Sequence, residues 1–261
     1  MQDNFLKIAK QAAKQSGLLI RKRIGKKNRV QIKNNDASNL VTEADLLSEK
    51  NIIQILKKHF PKHNLISEEA GKKNNGSEYT WVIDPLDGTV SFAHNMPHFS
   101  VAVGLLKDNK PILGAIYNVM TDKLYWAETG KGAFVDGKPI KVSKISTLEE
   151  SAAIIGFGSV KRRREKIGRY VMPLINKVGH PYSLGSAATH YTLVANGFAD
   201  MTADGGWIWD FVAGAVIVRE AGGRVSDLEG KEPDWTKERL HLVASNGLIH
   251  DKILEALSVS S

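Results

Sequence analysis

The segment Trp81-Val82-Ile83-Asp84-Pro85-Leu86-Asp87-Gly88-Thr89 holds the residue types with the plainest chemical use. A short apolar stretch delivers Asp84, Pro85 turns the chain, and Asp87 follows three positions after the first aspartate. Two carboxylates on a stiff turn make a hard-oxygen cradle for a divalent cation. Gly88 and the Thr89 hydroxyl offer a seat for a phosphate and a water. The chemistry this predicts is metal-assisted hydrolysis of a phosphate ester. Asp-Pro and Asp-Gly are also ordinary turn dipeptides, so the run alone does not decide between a turn and a metal site. Two further segments weigh on the choice. Ile66-Ser67-Glu68-Glu69-Ala70 ends an apolar stretch with two acids, and Trp209-Asp210 opens the apolar run Phe211 to Ala221, followed by Gly222-Gly223. Three apolar segments ending in acid predict convergence on one point, where a cation is the natural counter-charge.

Trp81 to Gly104 resembles the first signature of the inositol monophosphatase family, and Trp209 to Gly223 resembles its second. Val41-Thr42-Glu43-Ala44-Asp45 and Ser67-Glu68-Glu69 stand where that family carries its other acids. Gly114-Ala115-Ile116-Tyr117 and Gly130-Lys131-Gly132-Ala133-Phe134 extend the similarity over nearly the whole chain. The resemblance implies an α+β fold, a layered α-β-α-β-α sandwich of the inositol monophosphatase/fructose-1,6-bisphosphatase type, assembled as a homodimer. It implies two or three Mg²⁺ ions, one held by Glu68, Asp84 and the Leu86 carbonyl, another by Asp84, Asp87 and Asp210. All these ligands are hard oxygens, which favours Mg²⁺, or Mn²⁺ as a substitute, over Zn²⁺. A metal-activated water is the expected nucleophile, with Glu68, Thr89 and outer-lying Asp45 orienting it and accepting its proton. Gly88 and Thr89 are expected to bind phosphate oxygens through their N–H groups. Gly185, Ser186, Ala187, Asp204 and Asp210 are expected on the hydroxyl-bearing side of the substrate.

The expected substrate is inositol 1-phosphate or a similar small polyol phosphate. Alternatives are fructose 1,6-bisphosphate, histidinol phosphate or a 3′-phosphorylated nucleotide. A reading of another class is an RNA or transcription-complex binding protein on this fold. Ser91 departs from the family pattern, which has Asn or Glu there, and Asp204 is a shorter acid than the Glu that touches the ring in the inositol phosphatase branch.

Composition narrows the classes. The 261 residues, 42% of them hydrophobic, are ample for a buried core. No run of apolar residues is long enough for a membrane span, and Met1-Gln2-Asp3-Asn4 shows no secretory pattern, so a cytoplasmic protein is expected. The absence of cysteine excludes disulfides and thiolate metal sites. The charge of +8 gathers in Arg21–Arg29 and Lys161–Lys166. Neither run interleaves aromatics for stacking bases, so solvated faces are expected rather than a nucleic-acid surface. A positive field still recruits anionic esters.

The elements that must position the acids can be sketched from periodicity. Phe5, Ile8, Ala9, Ala12 and Ala13 predict a helix over 4–23. A basic loop or hairpin follows to Asn39. Thr42-Glu43-Ala44-Asp45 has the pattern of a capping box and opens a helix ending before Pro61, with Leu46, Ile52, Ile53 and Leu56 on its buried side. Strands are expected at 99–106, 112–119, 124–127 and 133–135, with Asp136-Gly137 as a hairpin turn. The polar stretch 141–150 divides an N-terminal part, 1–145, with most metal ligands from a C-terminal part, 146–261, with Asp210 and the substrate-side residues. The second part is expected to open with a strand at 152–155 and a basic helix through Val178. Trp81, Trp207 and Trp209 are expected to be packing residues, and no stacking surface for a nucleobase is evident.

Overall fold

A computed structural model describes residues 4–26, 30–32 and 40–258. The remainder of the basic run up to Arg29 and most of the expected loop up to Asn39 lie outside the described residues. The chain runs α1 (Phe5–Arg21), β1 (Val30–Ile32), β2 (Leu40–Thr42), α2 (Glu43–His59), β3 (Asn64–Ser67), β4 (Gly71–Lys73), β5 (Tyr79–Asp87), α3 (Thr89–Ala93), β6 (Ser100–Lys107), β7 (Lys110–Asn118), β8 (Lys123–Glu128), β9 (Ala133–Val135) and β10 (Lys138–Pro139). It continues with β11 (Ala152–Ile155), α4 (Val160–Lys166), a π-helical turn at Ile167–Val171, α5 (Met172–Leu174), β12 (His180–Tyr182), α6 (Ala187–Ala195), β13 (Met201–Trp207), α7 (Ile208–Glu220), β14 (Arg224–Ser226), β15 (Arg239–Ser245) and α8 (His250–Ser258).

Two sheets organise these elements. An eight-stranded sheet has the order β10-β9-β8-β7-β6-β5-β3-β4, antiparallel except for β3 beside β5. A five-stranded sheet has the order β12-β11-β13-β15-β14, with β12, β11 and β13 parallel. Strand alternation decides what each face meets. Trp81 and Ile83 of β5, Val101, Val103 and Leu105 of β6, and Leu113, Ala115 and Tyr117 of β7 share one core with Ile8, Ala9, Ala12, Ala13 and Ile20 of α1. Val82, Ala102 and Ile116 point the other way, into a core shared with α6, α7 and the inner face of the second sheet. Ala153, Met201, Ala203 and Val243 on that sheet's outer face pack with α5 and α8. The layers are therefore α1/α2, sheet, α6/α7, sheet and outer helices, the sandwich type that the family resemblance implies. Helix α7 is buried along almost its whole length, as a helix between two sheets must be.

The close approach of α7 to β7 depends on Gly114, where a Cβ would run into the Ala213 carbonyl oxygen. Backbone cannot swing aside as a side chain can. Gly114→Ala is expected to lower stability by about 3 kcal/mol, read as a shift of the urea midpoint at unchanged slope.

The structure corrects two expectations. Leu46 is 48% exposed; the buried face of α2 is set by Asp45, Ser48, Glu49, Ile52 and Leu56, so polar groups occupy core positions there. The basic helix expected through Val178 is broken into α4, the π-helical turn and α5, since Pro173 lacks the N–H that a continuous helix needs. The turn at Asp136-Gly137 is present, with positive φ at both residues, and joins β9 to β10.

Candidate active site

The acids of the first segment are aimed by an irregularity in β5. Asp84 pairs with Ala102 and Asp87 with Ser100, so three steps along β5 answer two along β6. Such a bulge bends a strand and redirects its side chains. Pro85, which has no ladder N–H to lose, sits inside it. The Leu86 N–H donates to Asp84 Oδ1 at 3.1 Å. Gly88 then takes φ +91 and starts α3, where a Cβ would lie 2.6 Å from the His98 carbonyl oxygen. Both the left-handed backbone and the tight contact require glycine there.

Asp45 has two partners expected from different readings, and holds both. Its Oδ2 accepts from the Thr42 N–H at 2.8 Å, capping α2, and lies 2.6 Å from the Thr42 hydroxyl. Its Oδ1 lies 2.9 Å from Thr89 Oγ1, which is also 3.0 Å from the Leu86 carbonyl oxygen. The one hydroxyl proton of Thr89 serves either acceptor. One turn further along α2, Glu49 is 7% exposed. Its Oε1 accepts from the Ser67 hydroxyl at 2.5 Å and from the N–H groups of Glu69 and Ala70 at 3.0 and 2.9 Å. Glu49 thereby fixes both sides of Glu68, whose own N–H donates to the Ile83 carbonyl.

Asp87 is gripped from the other part of the chain. Its carboxylate accepts from the Ser186 hydroxyl at 2.5 Å, the Ala188 N–H at 2.7 Å and the Ala187 N–H at 3.1 Å. The start of α6 thus spends its donors on a carboxylate, as helix N-termini do. Ser186 and Ala187, expected to face substrate hydroxyls, face Asp87 in this structure; Gly185 stands beside Ser91. Asp210 enters from the start of α7, accepting from the Trp207 N–H at 2.6 Å. The bare face of Gly206 lies against its carboxylate.

Asp84, Asp87, Asp210 and Glu68 share one field. Burial, then Glu68, Asp87 and Asp210, hold the Asp84 pKa well above the usual carboxylate range. Burial, then Asp87, does the same to Asp210. Burial raises Asp87 to about 6 against the pull of Ser186, Ala188 and Ala187, and raises Asp45 to about 6. No Lys or Arg pairs with Asp84, Asp87 or Asp210 among the described residues. Buried and half-buried acids without a partner cation, all offering hard oxygens, suit a small divalent ion. Among the described residues no three acids or histidines are drawn together tightly enough to hold an ion by themselves.

This arrangement of acids across two sheets has known counterparts. The chain matches the inositol monophosphatase family over residues 1–260. It belongs to that family. A fructose-1,6-bisphosphatase/inositol-1-monophosphatase of Aquifex aeolicus is 38% identical over 96% of this chain and 94% of its own. Inositol monophosphatase 3 of Solanum lycopersicum is 38% identical over 98% and 97%. The structure of an inositol monophosphatase from Anabaena superposes with a TM-score of 0.87 at 34% identity, covering 100% of this chain and 97% of that one. Inositol monophosphatases are phosphatases, so this chain is a phosphoric monoester hydrolase. No helix among its described residues is long and apolar enough to cross a membrane.

Three features of this site were not found from sequence. Glu49 was missed: it shares the buried face of α2 with Asp45 and Ser48, so no lone acid on an apolar stripe marked it. Trp207 and Trp209 stack at 5.0 Å, with the Arg239 guanidinium 4.2 Å over Trp207, so an aromatic and arginine stack does flank Asp210. Asp204 and Lys166, 38 residues apart, form an ion pair.

Proposed function

We propose that this enzyme hydrolyses the phosphate monoester of a small polyol, inositol 1-phosphate or a close relative, with Mg²⁺ as cofactor and Mn²⁺ as a substitute. The observation that carries the reading is the convergence of buried Asp84 and Asp87 of β5 with half-buried Asp210 of α7, with Glu68 in the same field. Glu68, Asp84, Asp87, Asp210 and the Leu86 carbonyl would hold the metal. When bound, the metal supplies Lewis acidity toward the phosphoryl group and the attacking water. Glu68 and Thr89 orient that water and accept its proton, and Asp45 fixes the Thr89 hydroxyl. The backbone N–H groups of Gly88 and Thr89 would bind phosphate oxygens, and the missing Cβ of Gly88 lets the loop close against the His98 carbonyl so that they can be presented. Water's oxygen bonds to phosphorus as the ester oxygen leaves, protonated, on the alcohol. The family likeness supports a homodimer.

The stack of Arg239, Trp207 and Trp209 favours a second reading, a nucleotide ester whose base lies on the aromatic face. Comparing kcat/KM for inositol 1-phosphate, histidinol phosphate and a 3′-phosphorylated nucleotide under the same Mg²⁺ separates the two. A tenfold or greater preference for the inositol ester is expected. A tenfold preference for the nucleotide overturns the polyol assignment and leaves the chemistry standing.

A further inference from the structure

The buried face of α2 carries three polar residues at helical spacing. Asp45, Ser48 and Glu49 stand at i, i+3 and i+4, side by side, and Asp45 and Ser48 are fully enclosed. Burying polar groups is costly unless each finds a partner. Here the partners lie in three different segments of the site. Asp45 holds the Thr89 hydroxyl. The Ser48 hydroxyl donates to the Pro85 carbonyl at 2.6 Å. Glu49 holds the turn on either side of Glu68. The rotation of the helix is itself fixed from α1. The Ser16 hydroxyl donates to the Ser48 carbonyl at 3.3 Å, and the Asn51 amide donates to Ser16 Oγ at 2.9 Å.

The Ser48 contact reaches Asp84 through a single peptide. The Pro85 carbonyl and the Leu86 N–H belong to one planar unit, which turns as a whole. Ser48 holds its oxygen, and its N–H donates to Asp84 Oδ1 at 3.1 Å. The two bonds point in opposite directions, so the peptide is a strut between α2 and the Asp84 carboxylate. The Pro85 ring fixes φ and leaves ψ free, so the ring does not hold this peptide. Without the Ser48 hydroxyl, the buried Pro85 carbonyl loses this donor and the strut is free to turn, taking the Leu86 N–H away from Asp84. Glu49 acts on Glu68 at shorter range. Its single oxygen Oε1 takes the bonds from Ser67, Glu69 and Ala70, the residues that bracket Glu68. An amide oxygen in that place accepts from the same donors, so the geometry uses the acceptor and not the charge.

We propose that Ser48 and Glu49 are positioning residues that set the affinity of the site for its divalent ion, Ser48 by holding the Asp84 carboxylate through the Pro85–Leu86 peptide and Glu49 by holding the turn that carries Glu68. The inference rests on the metal-dependent reading above. Mn²⁺ binding to the full chain, followed by loss of the free-ion EPR signal, tests it without reference to turnover. Ser48→Ala, which removes one atom and little volume, is expected to raise the Kd for Mn²⁺ at least tenfold. Glu49→Ala is expected to do the same. Glu49→Gln, which keeps the acceptor, is expected to stay within threefold of the wild type. A merely structural role would lower the melting temperature in EDTA and leave the affinity of the folded protein unchanged. Should Glu49→Ala fail to fold, Glu49→Asp, which withdraws the oxygen by one methylene, takes its place. A Kd within threefold of the wild type in Ser48→Ala overturns the role of Ser48, and the same result in the Glu49 truncation overturns that of Glu49. A Glu49→Gln protein as weak as the truncation also overturns it, since charge and not position would then set the affinity. If the wild type takes up no Mn²⁺, the metal reading fails and takes this proposal with it.

Discussion

Asp87→Asn and Asp210→Asn are each expected to lower kcat by at least about a hundredfold while the fold survives. Each change removes a charge but almost no volume. The amide oxygen of Asp87→Asn would still accept from Ser186 and Ala188, which share one carboxylate oxygen, at the loss of the longer Ala187 contact to the other, and Asp210→Asn would still cap against the Trp207 N–H. A second effect should accompany the loss. Each substitution removes one like charge from a buried group that repels itself, so the metal-free variants are expected to melt above the metal-free wild type. Phosphate release under saturating substrate measures the first effect and thermal unfolding in EDTA the second. Near-normal turnover by Asp87→Asn would mean the site lies elsewhere.

Chelation by EDTA is expected to abolish activity and Mg²⁺ to restore it, and the stabilisation by Mg²⁺ is expected to grow with pH. Asp45 and Asp87 titrate near 6 when folded, and Asp84 and Asp210 are displaced in the same direction. A carboxyl raised in the folded state adds stability below its unfolded pKa near 4 and loses it as pH rises through its folded value. For Asp45 and Asp87 the loss is on the order of 3 kcal/mol each in the absence of metal. His190 and His250 pull the other way. Burial depresses both to about 4, so their contribution holds above about 6.5 and fades as pH falls toward 4. They act alike with and without metal, so the difference between the two states isolates the acids. The Tm gain on adding Mg²⁺ should be larger at pH 7.5 than at pH 5.5 by roughly 5–10 °C. An equal gain at both values would show that the buried acids are not the ligands.

Much of the site was legible because its signals are local. Asp84, Pro85, Asp87 and Gly88 sit within five residues, and their turn chemistry is written in their types. The strands β5 to β8 carry apolar faces on both sides and showed as apolar runs. Short β4, β10 and β12 are exposed throughout and gave no pattern to read. Long-range polar pairings were not legible. Nothing near Lys166 in a run of exposed cations distinguishes the one that turns inward to Asp204. Nothing near Ser186 shows that its hydroxyl serves Asp87, 99 residues away. The misplacement of Leu46 has the same root. Helical spacing alone permits several faces, and the choice was made by Glu49, whose partners lie in another segment.

The grip of α6 on Asp87 also bears on the order of events during folding. The bonds from Ser186, Ala187 and Ala188 to Asp87 close loops of about a hundred residues. The hairpins β6–β7 and β7–β8 close over a handful. Contacts of such separation carry the largest loop-closure entropy and belong late on the folding path. A cation that needs acids from both sides of that seam finds its site only after the barrier is crossed. It should therefore act as a brake on unfolding and leave the refolding rate nearly unchanged.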